Sequence, residues 1–247
     1  MEAFQPIAIR PPSDNRLLFR LRCLLDLQLL TTYRFLQREL AGCRGNLLDV
    51  GAGQAPWREL VEQQASYTGI DVESAANFGM KHKADIVYYD GGNFPFPDGC
   101  FDHVLCSEVL EHVPDEKALM AEIARIMRPG GSLVLTIPWS ARLHNLPHDY
   151  RRLTRYGLQA LLESSGFSQV RIEERGTDVA VLANKSIVML VRMLRPKTVR
   201  TKLWCWPLAL LLMPITAAFL MAAHLALQFG TGAREDPLGY GAVAVKL

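Results

Sequence analysis

From Asn46 to Glu174 the chain alternates short apolar runs with helical stretches, and this alternation constrains the fold more than any other feature. NLLDV, SYTGID, ADIVYY, FDHVLC, SLVLTIP and SQVRIEE read as six strands in order. Between them, Pro114, Asp115 and Glu116 open a helix, where proline and acids suit free N–H groups and the positive dipole end. Its buried stripe is Leu119, Met120, Ile123, Ile126 and Met127, and Pro129, Gly130 and Gly131 stop it. Thr154 to Ser165 reads as a further helix ended by Gly166, and Pro56 suits the first position of a helix after GAGQAP. Strands alternating with helices predict a mostly parallel, doubly wound α/β sheet covered on both faces. GYGAVAVKL alternates small and apolar residues and reads as a seventh strand.

The flanks divide the chain further. Residues 1–40 form an N-terminal extension, with Leu17, Leu21, Leu24, Leu25, Leu29 and Leu36 at helical spacing among arginines. The expected reading is an amphipathic helix packed on the domain, with contact to a membrane surface as the alternative. Residues 41–177 carry the core, 178–235 an apolar helical insertion, and 236–247 the last strand. The opening residues lack the apolar run and cleavage site of a secretory signal. Lys+Arg total 27 against 25 Asp+Glu, so the net charge of +2 supplies no whole-chain attraction to nucleic acid. Five cysteines, without a C-x-x-C pair, argue against a disulfide framework and suit a reducing cytoplasm. No metal is expected, because His and Cys are scattered without ligand spacing.

The candidate ligand site lies at the strand ends. Asp49 ends a buried strand, and Gly51 and Gly53 follow it in a turn. Ligands of open parallel sheets sit beyond the carboxyl ends of the strands. Asp71 ends the second strand, where a carboxylate can accept both hydroxyls of a ribose. Asp90 follows the third strand, beside Gly91. The competing reading is an NAD(P) fold, but the third glycine of its G-x-G-x-x-G fingerprint is Pro56 here. Carboxylates repel a diphosphate and favour a sulfonium with an ammonium.

LLDVGAGQAP, YTGIDV, YYDGGNFPFPDGCFDHVLCSEVLEHVPD and ALMAEIARIMRPGGSLVLTIP, in this order, resemble the class I methyltransferases, in particular the methyltransferase type 11 group. The resemblance covers about residues 46–175, and Gln54 departs from the first motif. It implies a seven-stranded Rossmann-like sheet with S-adenosylmethionine (SAM) as cofactor. It further implies that Asp49, Gly51 and Gly53 line the methionine end, Asp71 the ribose, and Asp90 with Gly91 the adenine. Ser107, Glu108 and Leu110 would border the transfer cleft.

Methyl transfer is an in-line displacement that needs alignment of an acceptor lone pair and, in some cases, proton removal. His112, just after the fourth strand, is a candidate acid–base group. In the loop after the fifth strand, which also carries His144, His148 with Asp149 reads as a base and its orienting carboxylate. The segment PHDYRRLT is similar to one in methyltransferases of cell-surface sugar and lipid pathways. Tyr150, Arg151 and Arg152 would hold an anionic acceptor, and Trp139 would wall its pocket.

Residues 203–229 contain no Asp, Glu, Lys or Arg, and Arg192, Arg195, Lys197, Arg200 and Lys202 precede them. A bilayer core needs about 20 apolar residues in a helix. If the last strand pairs with the sixth, both ends of the insertion stay on one side, which forbids a single crossing. The expected arrangement is therefore monotopic, with membrane contact through 179–229 on the inner face. The helix at 179–195 would lie in the interface, and 203–229 would enter partway or bend at its prolines. A true span and a buried interface, including a homodimer, are the alternatives. The combined expectation is a SAM-dependent methyltransferase acting on a hydroxyl or amine of a small or lipid-linked acceptor. A membrane-associated relative without catalysis, or an NAD(P) enzyme, is the competing reading.

Overall fold

The computed structural model describes residues 7–61, 65–78, 80–196 and 198–247. The seven strands are β1 (Gly45–Val50), β2 (Ala65–Val72), β3 (Ile86–Tyr89), β4 (Phe101–Ser107), β5 (Met127–Pro138), β6 (Phe167–Arg175) and β7 (Gly239–Lys246). They form one sheet in the order β3-β2-β1-β4-β5-β7-β6. The pairs among β1 to β5 are parallel. Strand β7 runs antiparallel between β5 and β6, which makes β6 parallel to the others. The last strand therefore pairs with the sixth as expected, and it also separates the sixth from the fifth.

Among the described residues, six α-helices accompany the sheet: α1 (Arg16–Leu25), α2 (Leu27–Leu40), α3 (Glu116–Ile126), α4 (Arg155–Ser164), α5 (Asp178–Leu194) and α6 (Val199–Phe229). Two apolar layers hold it. On one face, Leu119, Met120 and Ile123 of α3 and Leu158 and Leu162 of α4 bury against Leu48, Val104 and Leu135. On the other, Phe35, Leu36 and Leu40 of α2 bury against Leu47, Leu105 and Val134. The alternation of Leu47 and Leu48 between the layers is the two-residue period of a strand. Helix α2 approaches so closely that a Cβ on Gly241 would stand 2.6 Å from the Phe35 ring.

Two connections depart from the sequence reading. Among the described residues after Pro56 the chain makes turns and a 3₁₀ turn at Arg58–Leu60 in place of the expected α-helix. The N-terminal helix is broken at Asp26, whose extended backbone ends α1 and whose carboxylate accepts from Leu29 N–H to cap α2. Leu29 and Leu36 in α2 are buried, whereas Leu17, Leu21, Leu24 and Leu25 in α1 are exposed. Packing on the domain thus describes α2 in full and α1 only through Phe19 and Cys23, which join the same apolar cluster.

Helices α5 and α6 form a hairpin whose ends meet at one place. Asp178 N–H donates to Ala233 O, and Ala233 N–H returns a bond to Asp178 Oδ1. Leu27, Ala180, Val181, Ala183, Ala223 and Leu238 bury together at its base. Helix α6 is continuous through Pro207 and Pro214. The small side chains Ala209, Thr216, Ala223 and Ala226 are its buried stripe. Around the rest of its surface Trp204, Leu210, Leu211 and Met221 are exposed.

Candidate active site

The ends of β1 and β2 hold the glycine turn. Gly51 and Gly53 adopt φ of +68° and +54°, a region that favours glycine. A Cβ on Gly51 would stand 2.4 Å from Val109, so that glycine admits a protein side chain rather than a ligand. Gly51 and Ala52 N–H both donate to Ile70 O, at 2.9 and 3.0 Å. Gly53 N–H donates to Asp71 Oδ2 at 2.8 Å, which ties the turn to the end of β2. Asp71 Oδ1 takes Val72 N–H at 2.8 Å. Burial raises the Asp71 carboxyl above its usual range despite these two bonds.

This geometry tests which cofactor fits. A diphosphate needs free amides and a helix N-terminus behind the turn. Here the amides of Gly51, Ala52 and Gly53 are committed to Ile70 and Asp71, and among the described residues a 3₁₀ turn at Arg58–Leu60 follows. An acidic strand end beside the turn suits a cationic ligand. SAM, a sulfonium with an ammonium, fits these residues better than a dinucleotide.

Asp49 lies beneath the turn, 2% exposed, and accepts the Tyr67 hydroxyl at 2.6 Å. Burial pushes its carboxyl up to about 7, with the Tyr67 bond opposing. Asp90, exposed at the end of β3, accepts from Gly92 N–H at 2.9 Å in a local turn, and Gly91 has φ of +95°. Ser107 Oγ meets Thr136 Oγ1 at 2.9 Å. Glu108 has a φ of +56°, and its carboxylate pairs at 2.6 Å with the buried Arg175. Arg175 also reaches Thr32, Tyr240 O and Ile137 O. The sequence reading did not single out this arginine, because nothing local marks it.

The loop after β5 folds back over the 3₁₀ turn at Leu110–His112. Tyr150 N–H donates to Glu111 O at 2.8 Å, and His112 Nδ1 meets His148 O at 2.6 Å. The expected pairing of His148 with Asp149 is not the arrangement found. Asp149 faces His144, accepting its backbone N–H at 3.0 Å and standing 3.3 Å from its Nδ1. His148 Nδ1 instead meets Tyr150 Oη at 2.9 Å. The arginines also differ from expectation. Arg152 forks onto both oxygens of Asp149 at 2.6 and 2.8 Å. Arg151 binds the carbonyls of Leu110, Val113 and Pro114. Both guanidiniums hold the loop in shape, so neither is presented to an anionic acceptor. Burial tends to raise the Asp149 carboxyl, but the Arg152 bonds and His144 N–H outweigh it and leave it lowered.

Glu111, His112 and His144 converge. His112 Nε2 and His144 Nε2 are 3.1 Å apart, with Glu111 Oε1 at 3.6 and 3.9 Å from them. Glu111 is fully buried, and burial raises its carboxyl well above the carboxylate range, with the Glu108 charge adding to this. Burial lowers His112. The spacing of His and Cys along the chain gave no sign of this meeting. On the other side of the edge, Trp139 and Ser140 N–H both donate to Leu238 O, at 2.9 and 3.0 Å. The half-buried Trp139 ring lies tilted against Tyr240.

Residues 48–135 match the family model described as a methyltransferase domain. These residues carry a methyltransferase domain of the class I, SAM-dependent kind. The methyltransferase domain is 31% identical over 100 residues to a demethylmenaquinone methyltransferase of Listeria welshimeri, covering 36% of this chain and 42% of that protein. It is 35% identical over 96 residues to a sterol 24-C-methyltransferase of Aspergillus fumigatus, covering 34% and 26%. The chain thus spans less than half the length of these relatives. In fold it is similar to a SAM-dependent methyltransferase from Archaeoglobus fulgidus, with TM-score 0.54 and 19% identity over 94% of this chain and 100% of that one. A phosphoethanolamine N-methyltransferase of Haemonchus contortus, solved with SAM, gives TM-score 0.51 and 15% identity over 87% and 52%. The cofactor of this methyltransferase class is SAM.

Proposed function

We propose that this methyltransferase moves the methyl group of SAM to a hydroxyl or amine of a lipid-linked acceptor at a membrane surface. SAM supplies an activated methyl carbon when bound. Asp71 would hold the ribose, Asp90 with Gly91 the adenine end, and Asp49 with Gly53 the methionine end, while Gly51 makes room for Val109. Glu108, next to the turn at Leu110–His112, would border the transfer cleft.

One observation carries the membrane part. The apolar hairpin leaves the sheet after β6 and returns before β7, at the same edge where β1 to β5 end. Leu238, on its return limb, accepts the backbone bonds of Trp139 and Ser140 in the loop after β5. A hairpin seated in lipid therefore brings the acceptor edge to the bilayer. Arg200–Phe229 is apolar and long enough to cross a membrane. Both hairpin ends lie on one side, and α5, at 17 residues, is about 25 Å long against a ~30 Å hydrocarbon core. Exposed Lys185, Arg192 and Arg200 also suit the interface better than the core. The hairpin then lies along the inner face, with the exposed leucines of α1 beside it, since His224 Nε2 meets Leu24 O at 2.9 Å.

The test is labelled-methyl transfer from SAM into membrane extracts, with Asp71→Ala as control. Label in the lipid phase, lost in the variant, is the expected result. Label confined to protein, RNA or water-soluble compounds rejects the acceptor class. Separately, a chain that stays monodisperse without detergent and does not float with liposomes rejects the membrane seat in favour of a covering second copy.

A further inference from the structure

We infer that Glu111, His112 and His144 form a binding site for one divalent transition-metal ion. The first argument is the direction of the imidazole lone pairs. His112 Nδ1 faces the carbonyl of His148 at 2.6 Å. His144 Nδ1 faces the carbonyl of Arg142 at 3.1 Å and Asp149 Oδ2 at 3.3 Å. These partners only accept, so each Nδ1 carries the proton and each neutral ring turns an Nε2 lone pair inward. The two Nε2 atoms are 3.1 Å apart, where two lone pairs repel unless a cation lies between them. Two nitrogens held ~2.1 Å from one ion at roughly 95–109° stand about 3.1–3.4 Å apart, which is the spacing found.

The second argument is independent of the rings. Glu111 is 0% exposed, and neither carboxylate oxygen receives a hydrogen bond from another described residue. A buried carboxylate without a donor is costly. A proton shared by the two rings would relieve the nitrogens but leave Glu111 unserved, because its oxygen lies 3.6 and 3.9 Å from them. A metal ion relieves all three groups at once. The donor set, two imidazoles and one carboxylate, is that of sites that keep positions open for an oxygen ligand. Asn145 stands 3.3 Å from His112 Nε2, and its amide can present oxygen or nitrogen to the same point.

The supporting groups are those of a built site. The carbonyl of His148 orients His112, and Asp149, itself fixed by Arg152, orients His144. The cluster lies at the ends of β4 and β5, on the edge that holds the glycine turn. On the methyltransferase reading proposed above, the ion would bind the acceptor oxygen and lower the cost of its deprotonation. Binding of the ion does not depend on that reading.

The experiment uses the full chain in detergent, stripped with chelator and titrated with cobalt(II), with zinc(II) as competitor. We expect one ion per chain, visible absorption from bound cobalt, and displacement by zinc. Glu111→Gln and His144→Gln should each weaken binding at least ~100-fold, and Asp149→Asn by roughly 10–100-fold. His224→Gln, outside the cluster, should not change it. Thermal melting by circular dichroism establishes that each variant is folded. A folded parent chain that takes up no stoichiometric ion overturns the inference and leaves a proton-sharing histidine pair. Uptake that survives both cluster substitutions overturns it as well. Failure of the methyltransferase reading would look different: no SAM binding, with the cobalt spectrum intact.

Discussion

The central strands β4 and β5 and the helix α6 are both rich in leucine, yet they meet opposite fates. Leu105 and Leu135 in β4 and β5 are 0% exposed, whereas Leu203 and Trp204 in α6 are 70% and 79% exposed. The sheet offers two broad faces, and α2 to α4 cover both. Helix α6 is apolar all round, and α5 covers only its stripe of small side chains. A helix that is hydrophobic on every side needs surroundings as apolar as itself. The contrast teaches that hydrophobicity states how much surface must leave water, and only topology states what replaces the water.

The comparison can be broken by substitution. The largest expected effect is on membrane seating. Leu211→Asp combined with Phe219→Asp should forfeit about 1.5–3 kcal/mol of burial per residue, enough to abolish liposome flotation. The melting temperature in detergent should hardly move. Equal flotation would refute the lipid-facing assignment of α6. Next in size, Leu105→Ala should cost about 2–5 kcal/mol in denaturant unfolding, against less than ~0.5 for Leu211→Ala in detergent. Similar costs at both sites would mean that α6 is covered by protein.

Asp49→Asn comes third. The Asp49 carboxyl is raised from 3.8 to about 7 in the folded chain. The folded state then holds a proton that the unfolded chain releases, so stability falls as pH rises from about 4 to about 7. Removing the acid should therefore stabilise the chain at pH values above about 7, by roughly 4 kcal/mol at most, and have little effect below about 4. Melting curves across that range check the sign, and a pH-independent difference would show that Asp49 ionises normally. The smallest effect is Asp26→Ala, which removes the α2 cap and should cost about 1 kcal/mol by chemical denaturation.

Much of the sheet was legible because strands and their turns are local. The runs from NLLDV to SQVRIEE are six strands, and Gly51 and Gly53 form the turn after the first of them. The expectation that Asp71 and the glycine turn meet rested on parallel strands ending at one edge, and Gly53 N–H on Asp71 is that meeting. The helix after Pro56 rested on proline as a local start signal, whereas the described residues there form turns and a 3₁₀ turn at Arg58–Leu60. The arginine roles were misread for another reason. Arg151 and Arg152 look like anion binders in PHDYRRLT, but the carbonyls and the carboxylate that consume them are assembled by the loop itself.

By itself the sequence determined the α/β alternation, the acidic strand ends beside a glycine turn, and an apolar segment too long to ignore. These follow from backbone periodicity, turn stereochemistry and charge, which act over a few residues. The tertiary structure alone decided that β7 enters between β5 and β6, that Arg175 reaches Glu108, and that Glu111 and His112 meet His144. Those contacts join residues 32 to 67 positions or more apart. Whether such groups meet depends on how loops close over a finished sheet, and no local propensity carries that information.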